Sequence, residues 1–318
     1  MAPARDFAVG LVVAHRAGIA DGVVLLTLRR PDGGPLPEWR PGAHIALALG
    51  NGLVRHYSLC GDPADRASWR IGVLREPGSR GGSAYVHERL HPGVPVRVSG
   101  PHHDFALRPA RRYLFVAGGI GITPLLPMVA AARAAGAEWR LLYGGRTRAS
   151  MAFVAELEAY GDAVCVRPQD RYGLLDLDAY LGRPVAGTLV YCCGPEPLLA
   201  AVRQRCRAWP PETLHFERFR AVAPDGASDD RAFEVVLSRT GTRLQVPPGR
   251  SVLAVVREAG VPVPYSCTEG ICGTCETEVL DGEPDHRDSV LSDGERKSGE
   301  TMMICVSRAR GPRLVLDL

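Results

Sequence analysis

Cys267-Thr-Glu-Gly-Ile-Cys272-Gly-Thr-Cys275, read together with Cys305, decides how this chain is understood. The spacing is C-x4-C-x2-C, and 29 residues separate the third cysteine from the fourth. That is the plant-type spacing for four thiolates on a [2Fe–2S] cluster. Two irons need anionic ligands, and soft thiolates suit them. Gly270 and Gly273 lack a Cβ, so the loop is expected to curl and aim backbone N–H groups at the sulfurs. The plain alternative is a zinc site or buried thiols. Structural zinc, however, normally uses two paired C-x2-4-C knuckles, whereas here one triplet is joined by a single remote cysteine. The expected metal ligands are therefore Cys267, Cys272, Cys275 and Cys305. Cys60, Cys165, Cys192, Cys193 and Cys206 are scattered, and such cysteines mostly behave as small buried apolar residues.

A one-electron centre at one end raises the question of what feeds it. The 318 residues suffice for two or three domains, and 46% hydrophobic with 23% charged residues is ordinary for a globular chain. The start, Met-Ala-Pro-Ala-Arg-Asp-Phe, lacks the apolar core of a signal peptide, and no apolar run approaches the ~18 residues of a membrane span. A cytoplasmic protein with reduced thiols and no membrane partner is expected. A net charge of +3 argues against nucleic acid as the main partner.

Residues 1–108 read as short β-rich stretches, Val23–Arg29, His44–Leu49, Trp69–Val73 and Val94–Val98, broken by Pro and Gly turns. That pattern suggests a small barrel or sandwich. Residues 109–220 alternate apolar strands (Tyr113–Ala117, Trp139–Tyr143, Ala163–Val166, Leu189–Cys192) with helical patterns, which implies βαβ units and a parallel sheet. Residues 221–231, small and polar with Pro and Gly, are the expected linker. In residues 232–318 a hairpin (Phe233–Ser238, Thr242–Val246) leads to a helix capped by Ser251. Strands at Glu276–Leu280, Met302–Val306 and Leu314–Leu318 follow the cysteine loop.

Four further motifs carry chemistry. Arg55-His56-Tyr57-Ser58-Leu59 combines a guanidinium fork suited to phosphate, a flat aromatic face, and groups able to hydrogen-bond a ring edge. Gly81-Gly82-Ser83 opens a short helical pattern with Ser83 as its expected N-cap, a place where free N–H groups meet an anion. Gly118-Gly119-Ile-Gly121-Ile-Thr123-Pro124 follows a strand and opens a helix, with Thr123 as expected N-cap and Pro124 as first helical residue. Its glycines let a pyrophosphate approach the backbone, but Pro124 stands where a G-x-G-x-x-G motif would end. Cys193-Gly194-Pro195 ends another strand, where open parallel sheets bind ligands. Each motif alone is an ordinary turn; their order along one chain is harder to dismiss.

With these residues in hand, the chain resembles the phthalate dioxygenase reductase and vanillate demethylase reductase family over nearly its whole length. Arg55–Leu59 is similar to that family's R-x-Y-S-L flavin motif, and Gly81-Gly82-Ser83 to its flavin-phosphate turn. Gly118–Pro124 is similar to its nicotinamide-side loop, with Gly119, Gly121, Thr123 and Pro124 as cofactor-binding positions, and Cys193-Gly194-Pro195 to its C-G-P motif. His215-Phe216-Glu217 resembles the segment that faces the flavin from the nucleotide domain. The resemblance departs at His56, where Thr or Gln is usual.

The resemblance implies a multidomain α+β and α/β protein. An antiparallel β-barrel would bind FMN, a parallel-sheet domain the nicotinamide nucleotide, and a β-grasp ferredoxin domain the cluster. Ser58, Cys193, Phe216 and Glu217 are the residues it places at the reacting atoms. It implies a monomeric reductase that passes electrons from NAD(P)H through FMN and the cluster to a separate oxygenase, most often of the Rieske type. A cytochrome P450 acceptor and an iron–sulfur redox sensor are the alternatives. NADH is the expected donor, although Arg146 and Arg148 after the second parallel strand are placed to hold the 2′-phosphate of NADPH. Residues Glu276–Glu300 hold nine acidic and three basic side chains, a net −6, and are expected either to be a solvated face or to steer a basic acceptor.

Overall fold

The computed structural model describes residues 9–78, 81–210, 212–220, 230–265 and 267–318. These form two compact units, Met1–Phe219 and Arg220–Leu318. Most of the linker expected at 221–231 lies outside the described residues.

The first unit begins with β1 (Val9–Ala20), β2 (Val23–Arg29), β3 (His44–Ala48), β4 (Val54–Ser58), β5 (Trp69–Leu74) and β6 (Pro95–His102). They make one antiparallel sheet in the order β4-β3-β6-β1-β2-β5. Leu59 bridges Ile71 across the two free edges, so the sheet curls toward a closed barrel and loses its unpaired edges. Its interior is filled by Leu11, Leu26, Leu28, Ile45, Leu47, Trp69 and Ile71. Helix α1 (Gly82–Arg89) lies between β5 and β6. The long β1 is not apparent in the sequence, because its apolar residues are interrupted by His15, Arg16 and Gly18.

Five parallel strands follow: β7 (Arg112–Gly118), β8 (Glu138–Gly145), β9 (Val164–Pro168), β10 (Thr188–Cys193) and β11 (Leu214–Glu217), in the order β11-β10-β7-β8-β9. The helices are α2 (Ile122–Ala134), α3 (Val154–Glu158), α4 (Gln169–Tyr172), α5 (Leu177–Leu181) and α6 (Glu196–Arg205). Both faces of the sheet are covered, which is why β7 is apolar almost throughout. On the α2 face the core runs on into barrel residues Val23, Leu25, Cys60 and Phe105. Leu199 and Val202 of α6 fill the opposite face.

The second unit comprises β12 (Phe233–Leu237), β13 (Thr242–Val246), α7 (Val252–Glu258), β14 (Glu276–Asp281), β15 (Pro284–Asp285), α8 (Asp293–Ser298), β16 (Thr301–Met303), β17 (Arg308–Ala309) and β18 (Arg313–Leu316). Its main sheet has the order β13-β12-β18-β14-β16, with β12 and β18 parallel and the other pairs antiparallel, a β-grasp arrangement. Ser251 caps α7 by accepting the Ala254 N–H at 3.2 Å, as the sequence predicts. The strand expected at Met302–Val306 stops at Met303, because the chain turns there to present Cys305. No helix among the described residues is long and apolar enough to cross a membrane.

Two expected caps are corrected. Helix α1 starts one residue before Ser83, with Gly81 at its N-cap in the left-handed region. The Ser83 hydroxyl accepts the Glu76 N–H at 3.1 Å instead of capping the helix. A 3-10 turn at Gly119–Gly121 precedes α2, whose N-cap is Gly121; Thr123 is already helical and its hydroxyl donates to the Ile120 carbonyl at 2.9 Å. Gly81 takes the end position because its φ of +87° lies in the left-handed region, and Gly121 because a Cβ there would strike the Cys193 carbonyl.

Candidate functional site

Strand β4 carries Arg55, His56, Tyr57 and Ser58 along the barrel edge that pairs with β3. Arg55 donates to the Val54 carbonyl at 2.8 Å and reaches over the start of α1. A Cβ on Gly82 would meet Arg55 Nε at 2.5 Å, so the arginine side chain packs against the first turn of the helix. That turn has no side-chain cap and no acidic residue. First-turn N–H groups and an arginine therefore meet at one place, which fits a phosphate. Tyr57 is half-buried against the barrel core. His56 has its ring 5.0 Å from that of His44, which in turn lies 5.2 Å from His102.

At the ends of β7 and β10 the glycine loops interlock. A Cβ on Gly121 would strike the Cys193 carbonyl, and one on Gly194 would come within 3.0 Å of Gly118 Cα. Pro195 is the N-cap of α6, and Pro124 stands in the first turn of α2. Two helix starts and bare backbone thus face the strand ends, where a pyrophosphate fits. Arg146 is exposed just beyond β8, and its carbonyl accepts the Asp170 N–H at 3.1 Å. Arg148 is held by Glu158 through two bonds of 2.7 and 2.8 Å. A cleft of about 410 Å³ beside the edge strand β9 is lined by Arg148, Arg167, Arg171 and Tyr172.

Between barrel and parallel sheet the chain gathers Ser58, Cys193 and Glu217. Cys193 Sγ lies 3.9 Å from Glu217 Oε2. Burial, then repulsion from Asp104, pushes the Glu217 carboxyl up to about 8, while Ser58 and Cys193 pull it the other way. Burial also pushes the Cys193 thiol well up. Both groups are therefore protonated at neutral pH, and the junction carries no negative charge of their making. Phe216 does not join them. Successive strand residues face opposite ways, and Phe216 packs on the α6 side, with Arg218 and Arg203 over its ring at 4.6 and 5.7 Å. Two residues past Glu217, Phe219 leaves a large apolar ring 38% exposed. Its only signal in the sequence is the two-residue spacing from Glu217.

In the second unit the four expected cysteines are buried and converge. Glu269 and Ile271 direct their N–H groups at Cys267 Sγ, at 3.3 and 3.5 Å. The Cys267 N–H points at Cys272 Sγ at 3.4 Å, and Thr274 Oγ1 is 3.2 Å from the same sulfur. The four thiols share their protons: bonds from Cys272 and Cys305 lower Cys267, and Cys305 lowers Cys275, while Cys272 and Cys305 are pushed up in return. Sulfurs met by amides are built to carry negative charge, which fits thiolate ligands and not inert packing. A [2Fe–2S] unit spreads its four thiolates over two irons.

Residues 235–310 match the family model of the 2Fe-2S iron-sulfur cluster binding domain. The chain is 44% identical over 301 residues to a phenoxybenzoate dioxygenase subunit beta from Ectopseudomonas oleovorans, covering 94% of each. A solved phthalate dioxygenase reductase, described as a modular structure for electron transfer from pyridine nucleotides to [2Fe–2S], is 40% identical with a TM-score of 0.73 and 98% of both chains covered. An intact type IV self-sufficient cytochrome P450 monooxygenase is 44% identical with a TM-score of 0.86. That likeness covers 97% of this chain but only 41% of the monooxygenase.

Proposed function

Because the chain belongs to the phthalate dioxygenase reductase and vanillate O-demethylase reductase family, we propose that it is the reductase of an oxygenase system, passing electrons from NADH through FMN and a [2Fe–2S] cluster to a partner oxygenase. The observation that carries this is the four-thiol loop, its sulfurs met by backbone amides, in the same chain as a barrel and a parallel sheet whose anion-ready turns are already described.

Residues 1–108 hold FMN in this reading, 109–220 the nicotinamide nucleotide, and 232–318 the cluster. The flavin, when bound, supplies the exchange between a two-electron donor and one-electron steps. The chain's residues do the positioning. Arg55 and the start of α1 hold the flavin phosphate. Gly119, Gly121, Gly194 and Pro195 clear a path for the nucleotide backbone, and Thr123 fixes the turn that carries them. Cys193 and Glu217, both neutral, let a nicotinamide ring approach without an adjacent negative charge, and Ser58 faces them from the barrel. Phe219, and not Phe216, is the aromatic that covers the flavin. The pairing of Arg148 with Glu158 supports NADH, since that guanidinium is already committed. Nine free cysteines support a reducing cytosol, and a monomer suits a diffusing electron carrier.

The test separates the two halves of the path. Cys272→Ser protein should lose the cluster spectrum and reduction of cytochrome c or the oxygenase, while flavin-fed ferricyanide reduction by NADH survives. Equal loss of both activities in a folded, flavin-loaded variant would overturn the order of carriers. A P450 acceptor is the second reading, favoured by the likeness to part of a self-sufficient P450 monooxygenase. Offering both acceptor types to the purified reductase distinguishes them.

A further inference from the structure

The four cluster cysteines come from two segments, the Cys267–Cys275 loop and the turn at Cys305, and some other part of the chain must hold them together. We propose that Asp288 is the positioning residue that does so, as the centre of a clasp (residues 286–291) that fixes the Cys305 turn against the Cys267–Cys275 loop. The inference rests on reading those cysteines as [2Fe–2S] ligands.

The Asp288 side chain is 0% exposed. Its Oδ2 accepts the N–H groups of Val290 and Leu291, each at 2.9 Å, and lies 3.5 Å from Arg296 Nη2. Its Oδ1 accepts from the Ser307 hydroxyl at 3.4 Å and stands 3.9 Å from His286 Nδ1. Ser307 is fully buried, two residues past Cys305, and its hydroxyl also accepts the Arg287 N–H at 3.1 Å. One arm of the clasp therefore grips the Cys305 turn through a single hydroxyl. The other arm is the Ser289 N–H, which donates to the Gly270 carbonyl at 2.7 Å, between Cys267 and Cys272.

Gly270 shows how tightly the three segments meet. Its φ is +70°, and a Cβ there would come within 2.6 Å of Val306 Cγ2 and 3.0 Å of Asp288 Cα. Val306 adjoins Cys305, so the cysteine loop, the clasp and the Cys305 turn close on one point. Burying a carboxylate is costly unless its oxygens are paired. Here two amides, a hydroxyl and Arg296, itself anchored on the Leu291 carbonyl at 3.1 Å, supply the pairing. Asp288 makes no hydrogen bond to the four cysteines themselves; its carboxylate holds the Cys305 turn through Ser307 and folds the clasp whose Ser289 N–H holds the cysteine loop. Outer partners bonded directly to a ligand typically change metal affinity about 10–100-fold when removed, and Asp288 acts one contact further out.

The test uses holoprotein exposed to a strong ferrous-iron chelator. Cluster loss is followed by visible circular dichroism, and the electron paramagnetic resonance spectrum of the reduced cluster is recorded beforehand. Asp288→Ala should lose its cluster severalfold faster than wild type, up to about tenfold, with a shifted or broadened resonance. Asp288→Asn keeps an oxygen for the amides but no charge for Arg296, and should fall between them. Ser307→Ala should also accelerate loss, and the Asp288→Ala, Ser307→Ala double variant should be less than additive, as for residues in one network. An ordinary core residue would lower the unfolding midpoint while chelation rate and resonance stay at wild-type values, and that result overturns the proposal. If Asp288→Ala is not recovered folded, Asp288→Asn and Ser307→Ala decide it, and wild-type behaviour in both overturns it. Wild-type protein without a [2Fe–2S] spectrum would instead overturn the reading of the cysteines.

Discussion

Glu217 ends β11 with its carboxyl beside Cys193 and under the influence of Asp104, and its titration makes a testable statement. An ordinary glutamate titrates near 4.5, and this one is pushed up to about 8. Below about 4.5 the group is protonated folded or unfolded. Between about 4.5 and about 8 only the folded state keeps the proton, so stability falls as pH rises through that window. Burial lowers His102, His103 and His215, which act in the opposite sense below their ordinary value. The difference between wild type and Glu217→Gln isolates the carboxyl. In flavin-free protein the variant's urea midpoint should gain on wild type between about pH 5 and about pH 8; an equal gap at both ends would refute the assignment. Phe216 and Phe219 give the second residue-scale prediction. Phe219→Ala should change the flavin absorbance and its response to NADH, whereas Phe216→Ala should act through stability, by about 3–5 kcal/mol or less for its half-buried ring. The reverse pattern would restore Phe216 to the flavin.

In the proposed reading, helix α1 is the element on which flavin binding turns. It has only eight residues, and its start is left open by Gly81 and covered by Arg55 instead of by a side-chain cap. An arginine beside the N–H groups of a helix's first turn makes charge-assisted bonds to a phosphate. Arg55→Ala should therefore weaken FMN binding by about 1.5–3 kcal/mol, or roughly ten- to 150-fold in Kd. Equilibrium dialysis measures this directly, and full flavin retention by the variant would show that the phosphate lies elsewhere. The serine in Gly81-Gly82-Ser83 looked like a cap because serine usually is one. In the fold its hydroxyl serves Glu76 of the preceding segment, a contact with no local signature.

At the scale of the whole molecule the charge is uneven. The chain carries +3, yet Glu276–Glu300 is strongly acidic. The structure divides those acids into kinds. Asp288 is buried, Asp281 pairs with Arg313 at 2.7 Å, and Asp285 pairs with Arg287 at 2.8 Å. Glu276, Glu278 and Glu300 are exposed where β14 leaves the cysteine loop. Asp288 and Asp285, which the sequence offered equally, are thus poor choices for a steering surface. Glu276→Gln, Glu278→Gln and Glu300→Gln together should slow reduction of a basic acceptor severalfold at low salt and flatten its salt dependence, because steering is screened within about 8 Å at physiological ionic strength. An unchanged salt profile would leave these acids a solvated face.

The cysteine spacing, the order of the motifs and the change from strand-rich to alternating segments were legible because each is written within a few neighbouring residues. Covalent spacing sets which thiolates share a loop, and side-chain period sets which stretches are strands. They suffice for the family, the three kinds of sheet and the four cysteines that come together. Contacts between distant segments had no such record. That Phe216 turns away from Glu217 depends on which face of β11 meets α6. That Glu217 holds its proton depends on Cys193 and Asp104 arriving from other strands. That Asp288 is a buried tie and not a surface acid depends on Ser307, Arg296 and Gly270 converging on it. A residue's type limits what it can do, but its burial and its partners are fixed only when the chain closes on itself, and those two quantities set the charge, the proton and the position on which this site depends.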